Sequence, residues 1–357
     1  MKLSPWPAVL LIIACAAYFL PPRTASSELG PASPAAAFED PLPREARRLF
    51  ADSRPATVEI DQVSPGQNGT LQGGLGTGFL ISGSGQIMTA YHVVDGAELI
   101  HVKTLNGQTY LARVTAFDNA ADVALLKIDP GGRPLPFLKI AGREAKVGEG
   151  VLAIGNSGGD FLQARTGRLL RLGARAGQAS FPQNTLEMSA PLAPGDSGGP
   201  ILNAQGEVMG VVSYVRVNDQ GQTITSYAVP VTGGSPLVQA LESGRKRDVP
   251  AVGLRFDDTH DGLTTPSGGL VAEVASGSPA ARAGLRGSVF DSKRNLIGFG
   301  DIITAVDDVR TRNSNDVIFE IRRREVGQTV RLSLSNGNES REVSMKLVAK
   351  GAIDYTK

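Results

Sequence analysis

The stretch Pro194-Gly195-Asp196-Ser197-Gly198-Gly199-Pro200 decides how this chain is read. Paired glycines followed by proline cannot be the interior of a helix, so Ser197 sits in a turn that opens onto a strand. This excludes the Gly-x-Ser-x-Gly elbow of α/β-hydrolases, which must lead straight into a helix. A serine hydroxyl holds its proton too tightly to attack at neutral pH, and needs an imidazole within hydrogen-bond reach to take it. The imidazole in turn needs a carboxylate on its other nitrogen, to fix the tautomer and stabilise the imidazolium. Upstream, Thr89-Ala90-Tyr91-His92-Val93-Val94 offers His92, and the run Asn119 to Leu126 offers Asp122, with Asp118 in reserve. Gly195 lets the backbone turn so that its own N–H and that of Ser197 converge on a developing oxyanion. His101 and His260 have no matching partners nearby and read as surface or half-buried residues, and Asp61 and Asp196 as structural.

Outward from these motifs, residues 56–231 are short apolar runs separated by turn residues. Val58 to Ile60, Gly78 to Ile81, Ile87 to Thr89, Leu99 to Val102 and Val123 to Ile128 are strand-sized. Val151 to Ile154, Leu186 to Met188, Val208 to Val212 and Thr223 to Val229 continue the series. Gly83-Ser84-Gly85 and Asn203-Ala204-Gln205-Gly206 read as hairpin connections. Many short strands at close spacing predict closed or sandwiched antiparallel β structure. Arg245-Lys246-Arg247-Asp248 marks a solvated linker. Beyond it the pattern is mixed α and β: a short helix capped by Ser278-Pro279 and stopped at Gly284, a second helix opening at Ser314, and a closing hairpin through Asn336-Gly337.

Composition limits the function. The 36 Lys and Arg against 35 Asp and Glu leave a net charge of +1, which argues against a dedicated nucleic-acid binder. Three His and one Cys argue against a zinc site, and nothing in the sequence calls for a metal or cofactor. The apolar run Ala8 to Leu20 has signal-peptide length and falls short of the ~20 residues that cross a bilayer comfortably. Cleavage after the small residues near Ala25, or retention as a membrane anchor, are both open. Cys15 lies in that run, so a cleaved chain has no thiol nucleophile and no disulfide. Residues 28–42, rich in Ala, Pro and Ser, read as a tether.

The motifs together resemble the trypsin/chymotrypsin superfamily, and more closely its HtrA (Deg) branch, over about residues 50–350. The resemblance is carried by Gly76-Thr77-Gly78-Phe79, the His92 block, Val147-Gly148 through Gly155-Asn156, the Ser197 block and Tyr227-Ala228-Val229-Pro230. It implies a mostly β chain: two six-stranded antiparallel β-barrels of trypsin-like type followed by an α/β PDZ domain. The expected divisions are 1–27 for the signal peptide or anchor and 28–44 for the tether. A protease domain follows at 45–240 (barrels 52–145 and 146–232), then a linker at 241–248 and the PDZ domain at 249–350. His92 becomes the general base, Asp122 its orienting acid and Ser197 the nucleophile. Gly155-Asn156-Ser157-Gly158-Gly159 matches the family's usual nucleophile motif even better, but it directly follows the first strand of the second barrel, whereas the family's nucleophile lies late in that barrel. Ser157 is read as a turn, where the family normally carries a Pro-Phe-Gly loop.

By the same resemblance the primary specificity pocket lies near Pro191, Ser213, Tyr214, Ser226 and Tyr227. None is acidic, so cleavage after small or medium apolar residues is expected. The PDZ match rests on Ala251-Val252-Gly253-Leu254, Gly277 to Leu285 and Gly300 to Val306. It implies a groove that takes C-terminal peptides between Val252-Gly253-Leu254 and the helix carrying Val317 and Ile321. Covering that groove is one reading of the insertion Gly287 to Phe299. The whole implies an exported, periplasmic or otherwise extracytoplasmic, endopeptidase acting on unfolded protein or peptide substrates. A homotrimer joined through Phe38, Leu49 and Phe50 is implied too, although these residues equally suit capping a barrel. The alternative is a catalytically idle PDZ scaffold or chaperone.

Overall fold

The computed structural model describes residues 12–14, 44–65, 71–159, 161–175, 181–257, 259–291, 295–337 and 339–355. The first barrel comprises β2 (Thr57–Pro65), β3 (Leu71–Leu80), β4 (Gln86–Thr89), β5 (Leu99–Lys103), β6 (Thr109–Asp118) and β7 (Val123–Lys127). Their order is β6-β5-β2-β3-β4-β7, closed by β6 on β7. The second comprises β8 (Gly150–Gly155), β9 (Gln163–Ala174), β10 (Thr185–Met188), β11 (Pro200–Leu202), β12 (Val208–Val217) and β13 (Thr223–Pro230). Its order, β12-β11-β8-β9-β10-β13 closed by β12 on β13, repeats the first strand for strand. All the pairings that close the two barrels are antiparallel. Closure leaves neither barrel with a free edge of its own.

Several barrel strands are buried on both faces, with consecutive residues covered along β4, β7, β8 and β12. Ile60, Phe79, Leu80, Ile87 and Leu126 are fully buried, each worth about 2 kcal/mol over an exposed position. Leu152, Ile154, Leu202, Val208 and Val211 of the second barrel belong to the same apolar cluster as the first barrel's core. The barrels are therefore fused side by side through a shared apolar cluster, and loops meeting across that seam are held in fixed relation.

Helix α1 (Arg44–Ser53) precedes the barrels, and its Leu49 and Phe50 pack against that cluster. These two side chains thus serve their own chain; Phe38 lies outside the described residues. So do most of the expected signal segment and tether. Only Ile12–Ala14 is described there, as a short strand β1 that pairs antiparallel with β12, Ile12 opposite Arg216 and Ala14 opposite Tyr214. Among the described residues no helix is long and apolar enough to cross a membrane.

After the one-turn helix α2 (Tyr91–Val94) and helix α3 (Pro236–Glu242), the stretch expected as a linker is tied down. Its strand β14 (Lys246–Arg247) runs parallel to β6, and Asp248 accepts from Asn119 Nδ2 at 2.5 Å and from the Gly351 N–H at 2.8 Å. The carboxyl-terminal domain begins with β15 (Pro250–Ala251), β16 (Leu254–Phe256) and β17 (Gly269–Val274). Helix α4 (Pro279–Arg282), β18 (Val289–Phe290), β19 (Leu296–Gly298), β20 (Ile302–Val306) and β21 (Val309–Arg310) follow. Helix α5 (Ser314–Arg322), β22 (Thr329–Asn336), β23 (Glu339–Lys346) and β24 (Val348–Ala349) complete it. The main sheet runs β16-β17-β20-β22-β23, around a core that includes Val271, Ile303, Val306, Val317 and Leu332. Ser278 caps α4 by accepting the Ala281 N–H, with Pro279 in its first turn.

Candidate active site

His92 projects from α2, immediately after β4, and Asp122 from the turn between β6 and β7. Asp122 has φ +58°, a left-handed conformation that aspartate adopts more readily than most residues. Its carboxylate grips His92 twice: Oδ1 accepts the His92 backbone N–H at 2.9 Å, and Nδ1 lies 2.8 Å from Oδ2. Oδ2 also accepts the Ser213 hydroxyl at 2.5 Å, from β12 of the other barrel. A carboxylate at Nδ1 assigns the ring proton to that nitrogen and leaves the Nε2 lone pair to act as a base. Nε2 is buried and makes no hydrogen bond among the described residues. Asp118, the reserve carboxylate, is turned away, accepting the Ala121 N–H at 2.9 Å and pairing with Arg247 at 3.2 Å.

Burial alone would push the His92 pKa down, but the charge and hydrogen bond of Asp122, with the charge of Asp95, outweigh it and hold the ring above its ordinary 6.5. A base is useful only when neutral, so activity should be lost as pH falls through that raised value.

Ser197 lies between β10 and β11, with its loop pressed onto the strands that lead to His92. The Ser197 carbonyl accepts the Thr77 N–H at 2.8 Å, and the Gly198 N–H donates to the Val212 carbonyl at 2.8 Å. Gly195 has φ +103°. Gly198 has φ +82°, and a Cβ there would stand 2.1 Å from Thr89 Oγ1 and 2.2 Å from the Thr77 carbonyl. The glycine thus permits contact between the barrels two residues before His92, where Ala90 N would be 2.9 Å from the same Cβ. Gly198→Ala should cost roughly 2–5 kcal/mol in urea unfolding, the sum of left-handed backbone and overpacking terms.

Asp196 is buried, with Oδ1 accepting from the Ser157 N–H and Oδ2 from the Ala193 N–H, both at 3.0 Å. Its pKa is raised by burial, against those hydrogen bonds and the charge of Arg165. Ser157 sits in a single 3-10 turn beneath the loop, near Arg165 Nη2. His101 stands across from Asp61 on paired strands, and His260 pairs with Asp257 at 3.1 Å, both elsewhere in the fold.

Residues 76–211 match the trypsin-like peptidase domain family, and residues 250–347 the PDZ domain family. The chain is 29% identical over 315 residues to Protease Do-like 1, chloroplastic, of Arabidopsis thaliana, covering 85% of this chain and 71% of that protein. It is also 29% identical over 300 residues to a probable periplasmic serine endoprotease DegP-like of Marinomonas sp., covering 81% of this chain and 60% of the relative. The chain carries a trypsin-like peptidase domain followed by a PDZ domain and so resembles the HtrA-type serine proteases. Its fold agrees with that of a solved serine endoprotease from Yersinia pestis, with a TM-score of 0.51 at 24% identity over 86% of this chain and 99% of the other.

The residues expected around the specificity pocket divide. Ser213 turns its hydroxyl to Asp122 rather than to a pocket, because its place on β12 faces the seam between the barrels. Tyr214 and Tyr227 stack at 4.5 Å and are buried together with Ala174, the Tyr214 hydroxyl 3.2 Å from Thr185 Oγ1. With Ala174 and the partly buried Phe181 their rings make a small apolar cluster separate from the second barrel's main core. Pro191 and Ser226 do come together. The Ser226 hydroxyl donates to the Ala190 carbonyl at 2.6 Å and accepts the Leu192 N–H at 3.3 Å, closing the segment around Pro191. Glu187, buried on β10, is already paired with Arg171 at 3.1 Å.

In the PDZ domain, Val252, Gly253, Leu254 and Ile321 line one groove with Phe256 and Ile318. Val317 is not among its walls. It is fully buried in the domain core, and the next residue of α5, Ile318, takes the groove position. The insertion forms the hairpin β18–β19 and does not line the groove among the described residues; Tyr355 does, with its carbonyl accepting from Arg255 Nη2 at 3.1 Å.

Proposed function

We propose that the protein is an exported, periplasmic or otherwise extracytoplasmic endopeptidase that cleaves unfolded proteins through an acyl-enzyme. The observation that carries this reading is the Asp122 carboxylate. It holds the Nδ1 side of His92 and the hydroxyl of Ser213 at once, beside a serine loop whose Gly198 lets it touch Thr89 and Ala90, just before His92. Ser197 Oγ attacks the scissile carbonyl as His92 Nε2 takes its proton, and Asp122 stabilises the imidazolium. The backbone amides of Gly195 and Ser197 receive the oxyanion. His92 then protonates the leaving amine, and a water, deprotonated in the same way, releases the acyl group. The periplasmic placement rests on the similarity to the DegP-like relative together with the apolar amino-terminal run. A homotrimer is proposed on the family resemblance, and light scattering at about three chain masses is its test.

The PDZ groove would take C-terminal peptides by strand addition at β16, which has a sheet partner on one side only. At the cleavage site neither Pro191 nor Ser226 carries a charge, so a buried Lys or Arg side chain would lack a counter-ion. Purified protein should degrade unfolded casein. In a peptide library it should favour Val or Ala over Lys or Arg before the cleaved bond by about a hundredfold in kcat/KM, the cost of burying an unpaired charge. A preference for basic residues would reject the pocket assignment. Intact casein with no peptide turnover would favour the scaffold instead.

A further inference from the structure

Thr77, on β3 of the first barrel, holds both residues whose amides face the oxyanion. Its N–H donates to the Ser197 carbonyl at 2.8 Å and its hydroxyl donates to the Gly195 carbonyl at 2.6 Å. The hydroxyl accepts in turn from Asn156 Nδ2 at 3.0 Å, and the Thr77 carbonyl accepts from Thr89 Oγ1 at 2.7 Å. Asn156 is itself fixed, with Oδ1 accepting the Leu162 N–H at 3.0 Å. Thr77 and Thr89 are fully buried and Asn156 is 2% exposed, so solvent offers none of these groups a replacement partner, and the Asn156 backbone N–H reaches the same Gly195 carbonyl at the longer distance of 3.4 Å.

The arrangement matters because Gly195, at φ +103°, lies in the left-handed region and has the backbone freedom of a glycine. A peptide group beside such a residue turns over easily unless its carbonyl is held. We infer that Thr77 is a positioning residue for the oxyanion hole: its hydroxyl, oriented by Asn156, fixes the Gly195 carbonyl and thereby the direction of the two amides relative to each other. The inference rests on Ser197 being the nucleophile, and deepens that reading by placing a determinant of the second barrel's hole on the first.

The test compares Thr77→Val, which keeps the shape and removes the hydroxyl, with Thr77→Ser, which keeps the hydroxyl. Peptide kinetics are measured with inhibition by a peptide aldehyde, whose adduct oxygen occupies the hole, and melting temperature is followed in parallel. Thr77→Val is expected to lower kcat about 10- to 100-fold, somewhat less than loss of a whole donor, and to weaken the aldehyde by a similar factor. KM should stay within about twofold, and Thr77→Ser should recover kcat to within about threefold, since a change in the hole alone spares ground-state binding. If Thr77→Val does not fold, Thr77→Ala is read in the same way. A folded hydroxyl-free variant with unchanged kcat and aldehyde affinity would overturn the inference. So would a Thr77→Ser variant as impaired as Thr77→Val, which would leave only methyl packing. Full activity in Ser197→Ala would instead remove the reading beneath it.

Discussion

Replacing Ser197 by alanine should lower peptide hydrolysis on the order of 10⁶-fold while leaving the melting temperature almost unchanged, as loss of the nucleophile does where a triad acts as a unit. The side chain is fully buried and the substitution removes a single oxygen, without adding volume to a loop where glycines already mark the limits of space. The Thr77 N–H to Ser197 carbonyl bond and the Gly198 N–H to Val212 carbonyl bond are backbone contacts that survive the change. Binding at the PDZ groove should survive too. Retained hydrolysis in the variant would move the nucleophile elsewhere, with Ser157 the first residue to examine.

The second large effect is expected at Asp122. Asp122→Asn should lower kcat about 10⁴-fold near neutral pH, because the amide stabilises the wrong imidazole tautomer and leaves a proton on Nε2. The carboxylate accepts from three donors, the His92 backbone N–H, His92 Nδ1 and Ser213 Oγ, which an amide cannot reproduce. The pH profile adds a sign. In the parent, burial lowers the His92 pKa and the charge and hydrogen bond of Asp122, together with the charge of Asp95, outweigh it, so kcat/KM climbs through a midpoint above 6.5. With Asp122 neutralised the downward push of burial remains and the midpoint should fall. A loss of less than tenfold with an unmoved midpoint would mean that another carboxylate orients the ring.

How much of this was legible in the chain differs from element to element. The strands of continuous apolar sequence, such as Val123–Lys127 and the Val208 to Val212 part of β12, are plain from the residues alone, whereas the extension of β12 to Val217 through Ser213 and Arg216 is not. Strand β9 is not, because Arg165, Arg168 and Arg171 interrupt it and Leu170 and Leu172 are exposed on its outer face. Strand β11 is three residues long and begins at Pro200, and in α1 only Leu49 and Phe50 stand out among charged and small residues. The His92, Asp122 and Ser197 blocks stand out because turns and glycines make their local sequences distinctive.

What local sequence does not carry is side-chain direction. Ser213 reads as a pocket residue and faces Asp122, since its orientation is fixed by register across two barrels. Val317, expected at the groove, faces the core and Ile318 lines the groove instead, because one residue on a short helix is a rotation of about 100°. Thr77 reads only as part of a family marker, Gly76-Thr77-Gly78-Phe79; the partners of its hydroxyl come from loops far along the chain.

The most direct measurement is labelling with a fluorophosphonate, mapped by peptide mass spectrometry across pH. The account predicts one adduct, on Ser197, forming faster as pH rises through a midpoint above 6.5 and nearly absent in His92→Ala. An adduct on another serine, or labelling of Ser197 at the same rate without the imidazole, would contradict it.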